Sequence, residues 1–148
     1  MITTINYDSI DVISSRQLKL YDTVYSLLYH HGDNYLLPFV RTNRNAQLCT
    51  AIDITGKVIG CMMIKRDSYV YNIVVLPKHR GKHIAVNLLN RYLKWGCYYA
   101  YVREDNEPML NLFKKHFVSK VADKKMRRDG KMICKIYFRK RVKGVDYL

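Results

Sequence analysis

The chain has 148 residues, room for one domain whose core needs neither disulfides nor a structural metal. With 49% apolar and 26% charged residues and few glycines or prolines, it falls outside the collagen-like, low-complexity and repeat classes. The net charge of +14 is uneven: residues 1–50 hold 4 basic and 4 acidic residues, 51–100 hold 8 and 2, and 101–148 hold 14 and 6. Such a field suits an anionic partner (a phosphate-bearing cofactor, an acidic protein or nucleic acid) and equally suits a solubilising surface.

Cys49, Cys61, Cys97 and Cys134 contain no C-x-x-C pair, so neither a zinc site nor a disulfide framework is expected. The start, MITTINYDSI, lacks a basic region followed by an apolar run and does not read as a signal peptide. No apolar run approaches the length of a bilayer span. The expectation is a cytoplasmic protein with reduced thiols and no membrane partner.

In chain order, SSRQLKLYDTVYSLLYHH (14–31) spaces Leu18, Tyr21, Val24, Tyr25 and Leu28 for an amphipathic helix, with Ser14 or Ser15 as cap and Gly32 as stop. A short second helix is expected at 33–41. AQLCTAIDI and KVIGCMMIK flank a Thr-Gly turn and predict a β-hairpin. YVYNIVVLP adds a third strand, completing an antiparallel meander that ends at Pro77. KHIAVNLLNRYLKW (82–95) predicts a long helix closed by Gly96. CYYAYV (97–102) predicts a strand parallel to the one ending at Pro77.

A third helix is expected over 104–117. Asp105 or Asn106 can cap it, Pro108 sits in its first turn, and Lys114, Lys115 and His116 lie in its last turn. FVSKVAD and MICKIYFRK, around an Asp-Gly turn, predict a closing hairpin. The fold class is therefore mixed α/β, a mainly antiparallel sheet with one parallel junction, flanked by helices.

The seam VVLPKHRGKHIAVNLL (74–89) carries the clearest chemistry. A helix start exposes unpaired N–H groups and the positive end of the helix dipole, which together bind anions. Gly81 lets a ligand approach the backbone, and Lys78, Arg80 and Lys82 add charge. From chemistry alone this is a pyrophosphate cradle; the plainer reading is a basic turn with a glycine for geometry. Neither the Walker loop nor the dinucleotide fingerprint is present.

V-x-P-x-x-R-G-x-x-I-A-x-x-L-L, read as Val75, Pro77, Arg80, Gly81, Ile84, Ala85, Leu88 and Leu89, resembles the acyl-CoA segment of the GNAT N-acetyltransferases. The family signature [Q/R]-x-x-G-x-[G/A] falls on Lys78, Gly81 and His83, with only the glycine an outright match. A second segment, VREDNEPMLNLFKKHF (102–117), resembles the family's later helix, with Asn106 on its Asn and Phe117 on its Phe. The resemblance covers roughly residues 46–140 and the first 45 loosely.

It implies a single GNAT-like domain over 1–148, with acetyl-CoA entering between two splayed central strands. Ile73, Val74 and Val75 would pair with pantetheine, and the N–H groups of Arg80, Gly81, Lys82, His83, Ile84 and Ala85 would hold the pyrophosphate. Asn106 and Phe113 fall on the cofactor side. The acceptor amine would attack the thioester directly.

Many family members use a Glu on a central strand as base and a Tyr on the following helix as acid. Here the Tyr position is Phe113, and the position where ribosomal-protein N-acetyltransferases carry Glu is Tyr101. Tyr101 is the first catalytic candidate, as thiolate proton donor or part of a water relay, because an ordinary phenol is a poor base at pH 7. Asp67 is the nearest acid before strand YVYNIVV. As plain structure, Tyr101 would be a core tyrosine and Asp67 a turn residue. His30, His31 and His116 read as helix-end residues.

Three functions follow. The first is an acetyl-CoA-dependent N-acetyltransferase acting on an amine of a small molecule, peptide or protein. The second is a GNAT-like protein that binds or modifies nucleic acid, motivated by KKMRRDGK, RKRVK and the scattered tyrosines. The third is a CoA-binding protein without turnover. A homodimer through the C-terminal strands is common in similar proteins.

Overall fold

AQLCTAI and VIGCMMIK carry β-branched and apolar residues on either side of a tight Thr-Gly turn, and they pair as expected. They form β2 (Ala46–Ile52) and β3 (Val58–Lys65), antiparallel. Asp53 shapes the turn: its Oδ1 accepts hydrogen bonds from the amides of Thr55 and Lys57 and from the Thr55 hydroxyl. The computed structural model describes residues 5–11, 19–33 and 46–144. The chain divides into two compact units, residues 1–92 and 93–148.

The first unit has a four-stranded sheet in the order β1-β2-β3-β4, with every neighbour antiparallel; β1 is Asn6–Asp11 and β4 is Val70–Val75. Helix α1 (Leu20–His31) lays Val24, Leu27 and Leu28 on Leu48, Cys61, Met63, Tyr71 and Val74. Side chains alternate along a strand, so Gly60 faces away from that helix. There a Cβ would stand 3.2 Å from Ile84 Cγ2 of helix α2 (Ile84–Tyr92). With a helix on each face, β3 is buried along nearly its whole length, which is why it reads as a continuous apolar run rather than an alternating one.

The second unit has a three-stranded antiparallel sheet, β5-β7-β6, formed by Tyr98–Arg103, Met132–Lys140 and Phe117–Met126. Helix α3 (Glu107–His116) contributes Phe113, whose ring centroid lies 4.5 Å from Phe138 and 6.1 Å from Phe117. Phe117 and Phe138 are 5.7 Å apart, closing a three-ring core. Aromatic pairs at such spacings add to the plain burial of their area.

The mixed α/β class, with antiparallel sheets and three α-helices among the described residues, matches the sequence expectation, with differences in detail. Strand β1 was not anticipated: NYDSID exposes Asn6 and Asp8, and only its pairing with β2 marks it as a strand. Helix α1 begins at Leu20 after Lys19 at φ 59°; Ser14, Ser15 and the helix expected at 33–41 lie outside the described residues, apart from Asp33 beside Gly32. Gly32 does end α1, through a bond from its N–H to Leu28 O.

Helix α2 is shorter than 82–95 at both ends. His83 has φ 61°, which no helix residue adopts, and beyond Tyr92 the amide of Lys94 donates to the Tyr98 hydroxyl at 3.0 Å. Gly96, at φ 137°, is therefore not its cap. For α3 the cap is Asn106, whose Oδ1 accepts from Met109 N at 3.3 Å. Asp105 instead forms a two-pronged pair with Arg103.

Candidate functional site

The basic seam occupies the end of the first unit. Strand β4 stops at Val75, Pro77–His79 make one 3-10 turn, and the chain enters α2 at Ile84. Two residues between them sit in the left-handed region, Gly81 at φ 81° and His83 at φ 61°. For Gly81 this costs little; for an L-residue such as His83 it costs about 1 kcal/mol. A glycine, having no Cβ, would relieve that strain, which gives a physical reason for the Gly of the signature at this place but not for its Ala.

A Cβ on Gly81 would meet no protein atom within 4 Å, so its backbone borders open space. The first-turn amides of Ile84, Ala85 and Val86 have no acceptor within the helix, as at any helix start. Lys78, Arg80, Lys82 and His83 are all exposed around this bend. These residues fit a pyrophosphate: donors from the backbone, cations at the rim, and no side chain in the way. Arg80 also has a structural task, its Nε donating to Val75 O at 3.0 Å. That bond ties the turn to the end of β4 and leaves the two terminal guanidinium nitrogens for an anion.

Strand β4 itself is irregular. Tyr71 pairs with Met63 and Val74 with Cys61, so Asn72 and Ile73 together face the single residue Met62. This is a β-bulge, and Asn72, at φ 53°, takes the left-handed conformation that Asn tolerates better than most. Ile73 consequently has no partner in the β3 ladder. Ile73, Val74 and Val75, expected to pair with pantetheine, lie at and just after this bulge.

Asp67 is in the β3–β4 turn, which closes through Lys65 N to Tyr69 O at 2.9 Å. That turn and the basic seam are at opposite ends of β4, separated by six strand residues, about 20 Å of extended chain. The two are not brought together.

Asn106 caps α3, as above. Phe113 is 1% exposed and belongs to the three-ring core; this helix position supplies no phenol.

Tyr101 is on β5, on the sheet face opposite Ala100 and Val102, both buried. Around it stand residues that sequence reasoning missed. Lys125 Nζ lies 4.6 Å from the Tyr101 ring centroid, and Lys135 Nζ lies 4.8 Å from Tyr99, 5.0 Å from Tyr137 and 5.9 Å from Tyr101. A hydrogen bond with the Tyr137 hydroxyl, and then the other tyrosines, hold the Lys135 ammonium above its ordinary pKa. The alternation in CYYAYV and MICKIYFRK was available as a signal, but only the β5–β7 register shows that the two sets share a face.

The thiols are free: Cys49, Cys61 and Cys134 are buried and Cys97 exposed. Burial pushes Cys49 and Cys61 up to about 12, which removes them as nucleophiles at neutral pH.

Among the described residues, no helix is long and apolar enough to cross a membrane. No curated protein matches the chain by sequence. Solved structures do match in fold. A GNAT-family acetyltransferase from Bacillus cereus superposes with a TM-score of 0.67 at 14% identity, covering 95% of this chain and 99% of its own. The NatC complex bound to Gag peptide and CoA includes a chain with a TM-score of 0.66 at 16% identity, covering 91% and 98%. Spermidine N-acetyltransferase SpeG from Vibrio cholerae gives 0.60 at 14% identity, covering 90% and 92%. At these identities the likeness is one of fold. The sequence pattern of the Acetyltransferase (GNAT) family matches residues 16–117, well over half the chain, and spans the seam, the bulged strand and the Asn106-capped helix: this protein belongs to the GNAT acetyltransferase family, and its cofactor is acetyl-CoA.

Proposed function

We propose that the protein is an N-acetyltransferase whose acceptor is the amine of a peptide or small molecule. The observation that carries this reading is the bend Arg80–Ala85, with Gly81 open to solvent and the first-turn amides of α2 beside it. Acetyl-CoA supplies the activated acetyl group, and the acceptor amine takes it by direct attack on the thioester carbon. The bend binds the pyrophosphate through backbone N–H groups, with Lys78, Arg80, Lys82 and His83 at its rim. Ile73 to Val75, at the bulge, offer backbone to the pantetheine arm.

Tyr101 is the proton donor for the departing thiolate, directly or through water. Asn106 and Phe113 are the cofactor-side residues of α3 by their resemblance to the family's later helix, Phe113 acting from within the core. Asp67, about 20 Å of chain from the bend, is the weaker of the two catalytic candidates. Orientation of an amine beside a thioester contributes several kcal/mol without a dedicated base. The NatC and SpeG folds support both acceptor classes, since the first is bound to a peptide and the second acts on spermidine.

The test is the thermal shift with CoA and acetyl-CoA, for the native chain and for Gly81→Glu. Ligand at 100 times its Kd should stabilise the native chain by about 2.7 kcal/mol. A Cβ at 81 meets no protein atom within 4 Å, and the Glu puts a carboxylate at the phosphates. It should weaken CoA binding by about 100-fold or more, with at most ~2 kcal/mol lost from the unliganded fold for the left-handed φ. Equal CoA affinity in the two proteins would remove the bend from the reading.

A further inference from the structure

The outward face of the second unit's sheet concentrates lysines and tyrosines in a way the acetyl-CoA site does not require. Directly opposed residues of an antiparallel pair share a face. The register sets Tyr99 against Tyr137 and Tyr101 against Lys135 across β5 and β7. It sets Lys120 against Tyr137, Asp123 against Lys135, and Lys125 against Ile133 across β6 and β7. Arg103 shares the face but is neutralised by Asp105 at 2.7 Å. Asp123 is the one acid of these rungs, and its Oδ1 accepts from Lys124 N. Lys120, Lys125 and Lys135 form no ion pair among the described residues.

From this face we infer the acceptor class: an extended peptide with carboxylates close behind its reactive N-terminal amine, bound along the Tyr99–Lys135–Lys125 strip. The inference rests on the acetyltransferase reading, and it adds a charge preference that the reading alone leaves open.

The strip runs over the rungs of Tyr99, Tyr101 and Arg103, about 13 Å at ~3.3 Å per residue. That length matches roughly four residues of extended peptide. Three lysines spread over it can meet several carboxylates, and the tyrosine hydroxyls add neutral donors between them. Lys135 is also pre-positioned, held among three rings rather than sweeping through solvent. A polycation such as spermidine would meet like charge along the whole strip.

Single-stranded nucleic acid is the other anion such a surface suggests, because basic grooves with aromatic residues bind bases by stacking. Here the ring faces are already covered by ammonium groups, Lys125 on Tyr101 and Lys135 on Tyr99 and Tyr137. That leaves cations for point anions rather than platforms for bases.

The experiment uses the full chain with acetyl-CoA and two short peptides that share an N-terminal residue. One continues with glutamates, the other with lysines. The native protein should acetylate the acidic peptide with a kcat/KM at least about tenfold higher. Lys135→Gln should raise KM for the acidic peptide by about tenfold and narrow the acidic-over-basic preference by a similar factor, leaving the CoA thermal shift unchanged. Lys125→Gln provides a second, more exposed position should Lys135→Gln fail to fold.

Equal rates for the two peptides, or an unaltered preference in both variants, would overturn the inference. Should CoA bind while neither peptide is acetylated, the acetyltransferase reading has failed for peptides, and fluorescence anisotropy then decides the surface alone. Binding of the acidic peptide, lost in Lys135→Gln, supports it; no binding overturns it. Tighter binding of a single-stranded oligonucleotide than of the acidic peptide also overturns it, in favour of nucleic acid.

Discussion

The two units use opposite means to present chemistry. In the first, β3 is buried almost end to end between two helices, and beside it β4 and the bend that follows present unusual backbone: a bulge at Asn72 and Ile73, and left-handed residues at Gly81 and His83. In the second, β6 is exposed from Ser119 to Met126, and the sheet presents side chains. The charges follow the same division. Residues 1–92 hold 11 basic and 6 acidic residues, and 93–148 hold 15 and 6, so the differences are +5 and +9. Unusual backbone needs a rigid, doubly covered strand to hold it. A charged recognition strip needs one open sheet face.

The sharpest way to break this comparison is through the second unit's small core, where Phe113, Phe117 and Phe138 are each 1% exposed. Phe113→Ala removes the ring that touches both Phe117 and Phe138 and should cost about 3–5 kcal/mol, as large aromatic truncations do. Urea unfolding followed by the single Trp95, which lies in this unit, measures it. A loss below ~1 kcal/mol would mean that the three rings do not form its core.

Much of this was legible in the sequence wherever the signal was local. The β2–β3 hairpin announced itself by two apolar runs around Thr-Gly, and the α3 cap by Asn106 one residue before Glu-Pro. The basic bend was legible because proline, glycine and a helical apolar pattern follow one another within a few residues. What remained hidden depends on partners distant in sequence. β1 is a strand only because β2 is beside it, and α2 ends early because the Tyr98 hydroxyl takes the Lys94 amide. The lysine–tyrosine strip exists only in the β5–β7–β6 register. The Asn72 bulge is a similar case: an Asn in an apolar strand signals an irregularity, but not its kind.

Gly32→Ala sharpens the comparison from the first unit's side with a smaller effect. A Cβ there would stand 2.8 Å from Leu28 O and 3.0 Å from Val74 Cγ2. Gly32 is not in the left-handed region, having φ −100°, so the cost is one of space. Overpacking of this kind costs about 1–3 kcal/mol. Chemical denaturation should show that loss, and a stability equal to the native chain's would mean that α1 shifts freely on its sheet.

The smallest effect is acid sensitivity, and it too can be assigned by unit. The Thr55 hydroxyl and the Thr55 and Lys57 amides hold Asp53 below the usual carboxylate range. The Arg103 guanidinium does the same for Asp105, and the Arg127 guanidinium for Asp129. A carboxylate whose folded pKa is depressed contributes stability above its unfolded value, about 3.9. It loses that contribution as pH falls through the folded value, so all three act in one direction: Tm should fall as pH drops below about 4. Asp53→Asn removes the first unit's share, and Asp105→Asn with Asp129→Asn removes the second's. Each change should lower Tm slightly at pH 7 and flatten the acid limb of the Tm–pH curve. These groups are solvent-facing, so each step is small and shrinks in high salt where a guanidinium is the partner. Asp53, held by hydroxyl and amide donors instead, should keep its share in salt. An acid limb equally salt-sensitive in both sets of variants would show that long-range charge, not the local bonds, sets the acid stability.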